Sequence, residues 1–228
     1  MIYVMIPTYN EASNIERLIK AILDLKIPNL RIVVVDDISP DGTWMLVQRM
    51  RKRNVELLLR RKNRGRGLAG REGFMYCLDH GADRIVEMDG DFSHDPKYIP
   101  SLIKAADTAD VVLGSRNIKG GRDIERGALR KFVSGFARLY IRIVLGIKAT
   151  DPTSGYRCFT RKAMETINPR TLKAKDPFIV TEVLYRAHKK RLKIAEVPII
   201  FKQRASGKSK LGVKILFSNF IRILKLRF

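Results

Sequence analysis

The sequence has few cysteines and no long uncharged run. Of its 228 residues only Cys77 and Cys158 are cysteines, and they form no CxxC pair. We therefore expect neither a disulfide framework nor a zinc site, but two buried thiols in a reducing compartment. The longest uncharged stretch, residues 1–10, is too short to cross a bilayer and has no basic start. We expect neither a signal peptide nor a transmembrane span.

Acidic residues are scarce in the second half of the chain, although the first half is balanced. Residues 1–114 hold 17 Lys and Arg against 16 Asp and Glu, whereas residues 115–228 hold 28 against 7. A field of this kind needs an anionic partner, namely nucleic acid, anionic lipid headgroups or a phosphorylated substrate. The length and the 45% of hydrophobic residues suffice for one large α/β domain, with or without a small appendage.

Short apolar runs alternate with helical periods through the first half. The runs predict strands at residues 2–6, 32–35, 55–59, 85–88 and 111–113. The first helix has a capping box at Ser13 and Glu16, followed by an apolar face of Ile15, Leu18, Ile19, Ile22 and Leu23. Because strands alternate with helices, we expect a doubly wound, mostly parallel sheet.

Two basic amphipathic stretches mark the second half. A basic loop at 115–127 precedes the first stretch, residues 129–145, and the second closes the chain. The apolar face of the second comprises Val213, Leu216, Phe217, Phe220, Ile221, Leu224 and Phe228, and Lys214, Arg222, Lys225 and Arg227 lie between these residues. Such helices either lie on a membrane surface or pack on the sheet.

Pairs of aspartates follow two of the predicted strands. Asp36 and Asp37 end the second strand, and Asp89 and Asp91 follow the fourth. Ligands of open parallel sheets bind beyond the carboxyl ends of the strands, and clustered carboxylates call for a cation. Mg²⁺ or Mn²⁺ takes oxygen ligands and would bridge these carboxylates to a diphosphate. We interpret Asp41 and Asp95 as cap or turn residues, and His94 as a turn residue outside the site.

A glycine motif offers a different interpretation. GRGLAG at 65–70 matches GxGxxG, follows a strand and is followed nineteen residues later by Asp89. The dinucleotide fingerprint usually follows the first strand, whereas this one follows the third and is flanked by arginines. A glycine-containing turn into a helix is the alternative.

Six motifs in order carry a resemblance that spans nearly the whole chain. They are PTYNE at 7–11, VVVDDISPDGT at 33–43, MDGDFSHDP at 88–96, GSRNIKGG at 114–121, DPTSGYRCF at 151–159 and RASGKSKL at 204–211. The sequence resembles the polyprenyl-phosphate (dolichyl-phosphate) mannose synthases, inverting family 2 glycosyltransferases. The resemblance implies a GT-A catalytic domain at 1–210, with a donor half (1–114) and an acceptor half (115–210), and a membrane-surface helix at 211–228.

The resemblance also implies site residues. The nucleotide sugar would be bound by Pro7, Tyr9, Glu11, Val35, Asp37, Asp89, Gly90 and Asp91. The metal, Mg²⁺ or Mn²⁺, would be bound by Asp89 and Asp91, with Ser93 as a weaker third group. The acceptor phosphate would be held by Arg116, Arg130, Ser134, Arg204 and Lys210. Asp89, Asp91 and Arg116 would be the catalytic residues.

The implied reaction transfers mannose from GDP-mannose to a polyprenyl or dolichyl phosphate at the cytoplasmic face of a membrane. An anionic membrane surface would be a partner, and nucleic acid would not. Ile38 and Gly90 depart from the family pattern, and the end at Phe228 suggests a peripheral enzyme, a truncated chain or a separate membrane subunit. The alternatives are UDP-glucose or another nucleotide sugar as donor, and a basic nucleic-acid-binding protein.

Overall fold

A seven-stranded sheet organises the fold. The computed structural model describes residues 1–124, 128–201 and 213–228, apart from the side chains of 128–132 and 213–218. The strands are β1 (Ile2–Thr8), β2 (Leu30–Asp36), β3 (Val55–Leu59), β4 (Arg84–Glu87), β5 (Val111–Ser115), β6 (Arg122–Asp123), β7 (Arg157–Thr160), β8 (Ile194–Pro198) and β9 (Ile200–Phe201). The order in the main sheet is β3-β2-β1-β4-β7-β5-β8, and β6 pairs with β9.

Only β7 runs against its neighbours in the main sheet; the other described pairs are parallel. All five predicted strands are confirmed, and so is the mostly parallel sheet. The sequence analysis did not predict β7 and β8, which are short.

Eight helices cover the sheet in the described part of the chain. They are α1 (Ile15–Leu23), α2 (Thr43–Arg49), α3 (Arg66–Asp79), α4 (Ile99–Ala105), α5 (Ala128–Leu145), α6 (Arg161–Ile167), α7 (Ile179–Lys189) and α8 (Val213–Arg227). Short 3₁₀ turns occur at Pro96–Tyr98 and Pro169–Thr171. Among these described helices, none combines the length and hydropathy needed to span a bilayer.

The two faces of the sheet carry separate apolar cores. Along β1, Tyr3 and Met5 face one core, and Val4 and Ile6 face the other. The first core packs against α3, α5, α6, α7 and α8, and the second against α1, α2 and α4. Strands covered on both sides read as continuous apolar runs, which is why the sequence pattern located them.

One local prediction needs correction, and two are confirmed. Helix α1 begins at Ile15 with Asn14 as N-cap, so the predicted capping box starting at Ser13 is wrong; the Asn14 amide donates to the Glu11 carboxylate (3.0 Å). Both cysteines are free and buried, and burial raises the pKa of the Cys158 thiol to about 12. Asp95 caps the first 3₁₀ turn through the Lys97 N–H (3.0 Å), as predicted.

The amphipathic helices α5 and α8 pack on each other. The Phe220 ring lies 4.6 Å from Tyr140 and 5.6 Å from Phe136, and the Tyr140 hydroxyl donates to the Phe220 carbonyl (3.2 Å). Ile223 is buried in the first core, although the predicted apolar face did not include it. Of the apolar face predicted for the second stretch, Ile221, Leu224 and Phe228 are exposed, so these side chains do not pack on the sheet.

Candidate functional site

One edge of the sheet gathers the polar strand ends. Parallel pairing brings Thr8 beside Asp36, and β4 ends nearby at Glu87. Because β7 is antiparallel, it begins at this same edge, where Arg157 pairs with Glu87. Residues that follow β1, β2, β4 and β5 therefore meet the loop that precedes β7.

The end of β2 is fixed by internal hydrogen bonds. The Asp36 carboxylate accepts from the Thr8 hydroxyl and from both the N–H and the hydroxyl of Ser39, each at 2.7 Å. Ile38 lies between them with φ 52°, a left-handed conformation that costs a β-branched residue about 1–2 kcal/mol. The turn thus holds a strained isoleucine at the position where the sequence departs from the family pattern.

Asp37, predicted to contact the nucleotide, is tied to the glycine loop. Its carboxylate pairs with the buried Arg60 guanidinium and accepts the Gly65 N–H at 2.7 Å. Arg60 also contacts Glu72 on α3 (2.9 Å). Burial raises the pKa of Asp37, while Gly65 and Arg60 act to lower it. In this structure Asp37 joins the end of β2 to the start of α3.

The glycines of 65–70 accommodate protein backbone. Gly65 has φ 141° and precedes α3. A Cβ on Gly67 would overlap the carbonyl oxygen of Ala174 and would lie 2.7 Å from the Asp176 nitrogen. The Gly67 N–H donates to the Lys175 carbonyl at 3.1 Å. This space is filled by the 174–176 segment, so the turn interpretation of the motif holds and the dinucleotide fingerprint does not.

The metal-binding candidates Asp89 and Asp91 follow β4 in a tight turn. Asp91 is buried, and its Oδ1 accepts the Ser93 N–H at 3.0 Å, so the buried Ser93 orients this carboxylate through its backbone. The Asp89 side chain is about 34% exposed. Phe92 has φ 60°, a second non-glycine residue in the left-handed region. The turn therefore presents one accessible and one buried carboxylate.

Arg66, at the start of α3, contacts the first of these carboxylates. Its Nη2 lies 2.9 Å from Glu87 and 3.5 Å from Asp89. Burial acts to lower the pKa of Arg66, but Glu87 and Asp89 outweigh it and the pKa is raised. A fixed cation thus stands beside the metal-binding candidates.

Gly90 brings the Asp89–Asp91 turn against the PTYNE segment. A Cβ at this position would lie 3.2 Å from the Thr8 methyl and 3.4 Å from Glu11 Cγ. An alanine here would need the Thr8 methyl to move by a few tenths of an ångström. The glycine therefore permits a closer approach between two of the predicted donor-binding segments.

The remaining donor candidates differ in accessibility. Pro7 is buried in β1, whereas Tyr9 is about half exposed. Glu11 is partly buried, and its N–H donates to the Thr43 hydroxyl at 2.9 Å. The Val35 side chain is fully buried in the core beneath α3, so only its backbone could face a nucleotide.

His94 lies within the site, although the sequence analysis left it out. The Asp89 N–H donates to His94 Nδ1 at 3.1 Å, which fixes the neutral tautomer with hydrogen on Nε2. The ring stacks on Tyr156 at 4.9 Å and meets Phe201 edge-on at 5.7 Å. Burial lowers the pKa of His94 against the opposing effect of Asp89 and Asp91. His94 therefore joins the aspartate turn to the loop before β7.

Arg116, predicted to hold the acceptor phosphate, is buried and paired with Asp151. Its Nε and Nη2 bind the two oxygens of the buried Asp151 at 2.6 and 2.7 Å, and Nη2 reaches Thr153 at 3.1 Å. Its guanidinium lies 5.1 Å from the centre of the Phe201 ring. Asp151 acts on Arg116 to raise its pKa against burial, and the bonds from Arg116 lower that of Asp151.

Buried groups hold the loop that carries Asp151. The carboxylate of Glu196 on β8 accepts the N–H groups of Thr150 (2.8 Å) and Asp151 (3.0 Å). The Arg157 guanidinium donates to three carbonyls, those of Pro152, Ser154 and Val180. Desolvation lowers the pKa of Arg157 to about 10. The loop is thus held by Glu196 on β8 and by Arg157 on β7.

The other predicted acceptor residues are described only in part. Ser134 lies on α5 and is partly buried. Arg130 begins the same helix, but its side chain lies outside the described residues. Arg204 and Lys210 both lie outside the described residues as well.

Residues 3–167 match the family described as Glycosyl transferase family 2. The chain belongs to this glycosyltransferase family. The match covers most of the sheet and the whole aspartate edge, and the fold is the GT-A fold predicted from the sequence. The dinucleotide-binding interpretation of the glycine motif is thereby wrong.

Curated relatives share more than a third of the residues with this glycosyltransferase. Undecaprenyl-phosphate mannosyltransferase of Micrococcus luteus is 35% identical over 97% of this chain and 91% of its own. Polyprenol monophosphomannose synthase of Mycolicibacterium smegmatis is 36% identical over 92% of this chain and 80% of its own. Dolichol-phosphate mannosyltransferase of Pyrococcus furiosus is 37% identical over 98%, but this chain spans only 62% of that protein.

A solved structure with the same fold is glucosyl-3-phosphoglycerate synthase from Mycobacterium tuberculosis in complex with Mn²⁺, UDP-glucose and phosphoglyceric acid. Its TM-score is 0.71 at 20% identity, over 100% of this glycosyltransferase and 79% of that chain. At that identity the likeness supports the fold alone.

Three groups of this glycosyltransferase site escaped the sequence analysis, namely His94, Arg66 and the Asp151–Glu196 pair. A signal existed for His94 and Asp151, because both lie within motifs that carry the resemblance. No signal existed for Glu196, whose role depends on β8 lying beside β5.

Proposed function

We propose that this family 2 glycosyltransferase transfers mannose from GDP-mannose to a polyprenyl or dolichyl monophosphate with inversion. The observation that carries the proposal is that three relatives named as mannosyltransferases or mannose synthases of polyprenyl-type acceptors align over 92–98% of this chain. The edge with Asp89 and Asp91 on one side and Arg116 on the other supports it.

A divalent cation, Mg²⁺ or Mn²⁺, would be bound by Asp89 and Asp91, with Ser93 nearby. Within the described ranges no group of three or more His, Cys, Asp or Glu side chains forms a preassembled metal cage. Such ions commonly use one or two carboxylates and complete their shell with water and substrate phosphates, so the residues fit a cation that arrives with the donor. When bound, the cation would neutralise charge on the departing nucleoside diphosphate.

The acceptor would be positioned by Arg116, Arg130 and Ser134, with Arg204 and Lys210 contributing from the segment outside the described residues. A phosphate monoester has a second pKa near ~6, so its oxygen is ionised at neutral pH and needs no general base. That oxygen forms the bond to the anomeric carbon, and the bond from this carbon to the diphosphate breaks with its electrons, releasing GDP. Asp151 holds the Arg116 guanidinium in place for this step.

The exposed apolar side chains of α5 and α8 support a peripheral location on the cytoplasmic face of a membrane. Phe136, Leu139 and Ile143 on α5 are 56%, 52% and 71% exposed. Ile221, Leu224 and Phe228 are exposed on the neighbouring α8. We assign residues 1–114 to the donor, 115–210 to the acceptor and 211–228 to the membrane surface; a separate membrane subunit would bind at the same face.

Formation of an organic-extractable sugar lipid in detergent tests the reaction. With labelled GDP-mannose, a short polyprenyl phosphate and Mn²⁺, we expect a mannolipid that EDTA abolishes. UDP-glucose in place of GDP-mannose should give little product; the reverse result would assign the donor to the alternative.

Asp91→Asn should lower kcat by about 10²-fold or more, because it removes one of the two proposed metal carboxylates. The matched control is Asp24→Asn, on an exposed site at the end of α1. Unchanged activity of Asp91→Asn at equal folded content would refute the metal assignment.

A further inference from the structure

An open cavity of about 300 Å³ lies beside the proposed acceptor site, between α5 and the two loops that follow β5 and precede β7. It is lined by Asn117, Gly135, Arg138, Leu139, Arg142 and Thr150. None of these residues is among those assigned to donor, metal or acceptor. The cavity offers two guanidinium groups, an amide and a hydroxyl to one ligand.

The two arginines of this cavity have no anionic partner in the part of the chain that the structure describes. Neither Arg138 nor Arg142 has a hydrogen bond or ion pair there, whereas Arg222 on the adjacent α8 pairs with Asp176 at 2.6 Å. Desolvation lowers the pKa of Arg138 and outweighs the opposing charge of Asp151, and Arg116 adds to the lowering against Asp123. A partly desolvated cation near a second cation is stabilised by binding an anion.

The surroundings of the cavity indicate where the anion comes from. Leu139 lines the cavity and also belongs to the exposed apolar row with Phe136 and Ile143. An anion with hydrocarbon attached satisfies both features, because its charged group would enter the cavity while its chains lie along the row. A free inorganic anion would use only the polar part.

We propose that this cavity binds the phosphate headgroup of an anionic phospholipid of the bilayer. Arg138 and Arg142 would pair with the phosphate oxygens, the Asn117 amide would donate to them, and the missing side chain of Gly135 leaves room for the headgroup. This inference rests on the proposed peripheral location and adds a defined site to it. Headgroup binding would orient α5 so that the acceptor residues at its start face the membrane.

The test compares binding of the full chain to vesicles of phosphatidylcholine alone and of phosphatidylcholine with 30% phosphatidylglycerol. Arg138→Gln/Arg142→Gln should lower binding to the anionic vesicles about tenfold or more and leave binding to neutral vesicles within about twofold. Lys20→Gln/Lys104→Gln is the matched control. It removes the same charge from exposed positions on α1 and α4, on the other face of the sheet. It should change binding to anionic vesicles and binding to neutral vesicles by less than about twofold each.

Gly135→Leu provides a test without a change of charge. The added side chain meets open space near Arg138, and leucine favours a helix over glycine, so folding is preserved. Because it fills the cavity, we expect the preference for anionic over neutral vesicles to fall at least about fivefold. An unchanged preference would refute a headgroup cavity and leave only diffuse charge attraction.

Two further outcomes would also overturn the proposal. If inorganic phosphate displaced the protein from anionic vesicles more than sodium chloride at equal ionic strength, the site would be one for a free anion. If the arginine variant raised the KM for a short polyprenyl phosphate in phospholipid-free detergent, the cavity would belong to the acceptor site. Because the detergent assay measures mannose transfer without a bilayer, a failed reaction and a failed headgroup site give different results.

Discussion

Asp36 and Asp37 at the end of β2 are bonded to Thr8, Ser39, Arg60 and Gly65, whereas Arg138 and Arg142 on α5 have no hydrogen bond or ion pair to a described residue. These two carboxylates of the first half are thus satisfied internally, in a half of the chain with 17 basic and 16 acidic residues. The second half, with 28 basic and 7 acidic residues, carries an excess of cations. The contrast between an internally bonded proposed donor side and a cationic proposed acceptor side suits an enzyme whose second substrate is a lipid phosphate.

The second half also contains the buried Arg116–Asp151 pair, and breaking this pair should have the largest effect. Asp151→Asn would leave the buried guanidinium without a counter-charge, so we expect a loss of about 3 to 5 kcal/mol of folding free energy and most of the activity. Denaturant unfolding measures the first effect. The double variant Arg116→Met/Asp151→Asn should lose less than the sum of the single changes, and additive losses would show that the pair is not coupled.

The same pair predicts a dependence of stability on pH. Arg116 depresses the pKa of Asp151 below its ordinary value, so its stabilising contribution is complete above about pH 4 and is lost as the pH falls below that value. The unfolding free energy of the native protein should therefore fall more steeply with decreasing pH in this range. The slope between about pH 4 and 2 should be shallower in Asp151→Asn, and equal slopes would contradict the assignment.

Gly67 tests whether the glycine loop serves protein packing rather than a ligand. Gly67→Ala should destabilise by about 2–3 kcal/mol, because its methyl group overlaps the backbone at Ala174 and Asp176. Gly135→Ala, a helical glycine facing open space, should instead stabilise by about 0.5–1 kcal/mol. Thermal denaturation of both variants checks the contrast; a neutral Gly67→Ala would mean that the 174–176 segment shifts easily.

His94 links the aspartate turn to the loop before β7. Substitution of His94 by asparagine or by glutamine can separate its positioning of Asp89 from its packing. Asn places an acceptor near the position of Nδ1, whereas Gln places it near Nε2. Both variants lose the stack on Tyr156 and should unfold at lower temperature. Only His94→Gln should raise the Mn²⁺ concentration for half-maximal GDP binding by about tenfold, since only it loses the bond to the Asp89 N–H. Equal metal dependence in both would leave His94 a packing residue.

Ile38 gives the smallest expected change. Ile38→Asn should stabilise by about 0.5–1 kcal/mol, because asparagine tolerates the left-handed conformation that strains isoleucine. Activity should stay within about twofold if the turn keeps its shape. A loss of stability, measured by denaturant unfolding, would show that packing of the isoleucine side chain outweighs the backbone strain.

The strands of the parallel part could be predicted because they are covered on both faces and read as unbroken apolar runs. The carboxylates that follow them could be predicted as well, because parallel strands end at one edge. Strands β7 and β8 could not, since their place in the sheet depends on partners distant in sequence. For the same reason the analysis found Asp89 and Asp91 but not the imidazole behind them or the carboxylate of Glu196.

The apolar face of α8 shows a further limit of periodicity. Seven residues approximate one side of a helix, yet among the α8 side chains that the structure describes the buried one is Ile223, which lies outside that set. Helical spacing states which residues share a side but not which side meets a neighbour. Here the side is set by packing on α5, because the Phe136 and Tyr140 rings contact Phe220.

The reversed direction of β7 has a consequence for how such enzymes diversify. Strand β7 enters the sheet at the edge that gathers the polar strand ends. The segment between α5 and β7 can therefore change length without moving the register of β1, β2 and β4. Insertions there would reshape the pocket for one substrate while the other keeps its binding geometry. A single antiparallel strand thereby lets two specificities evolve separately within one sheet.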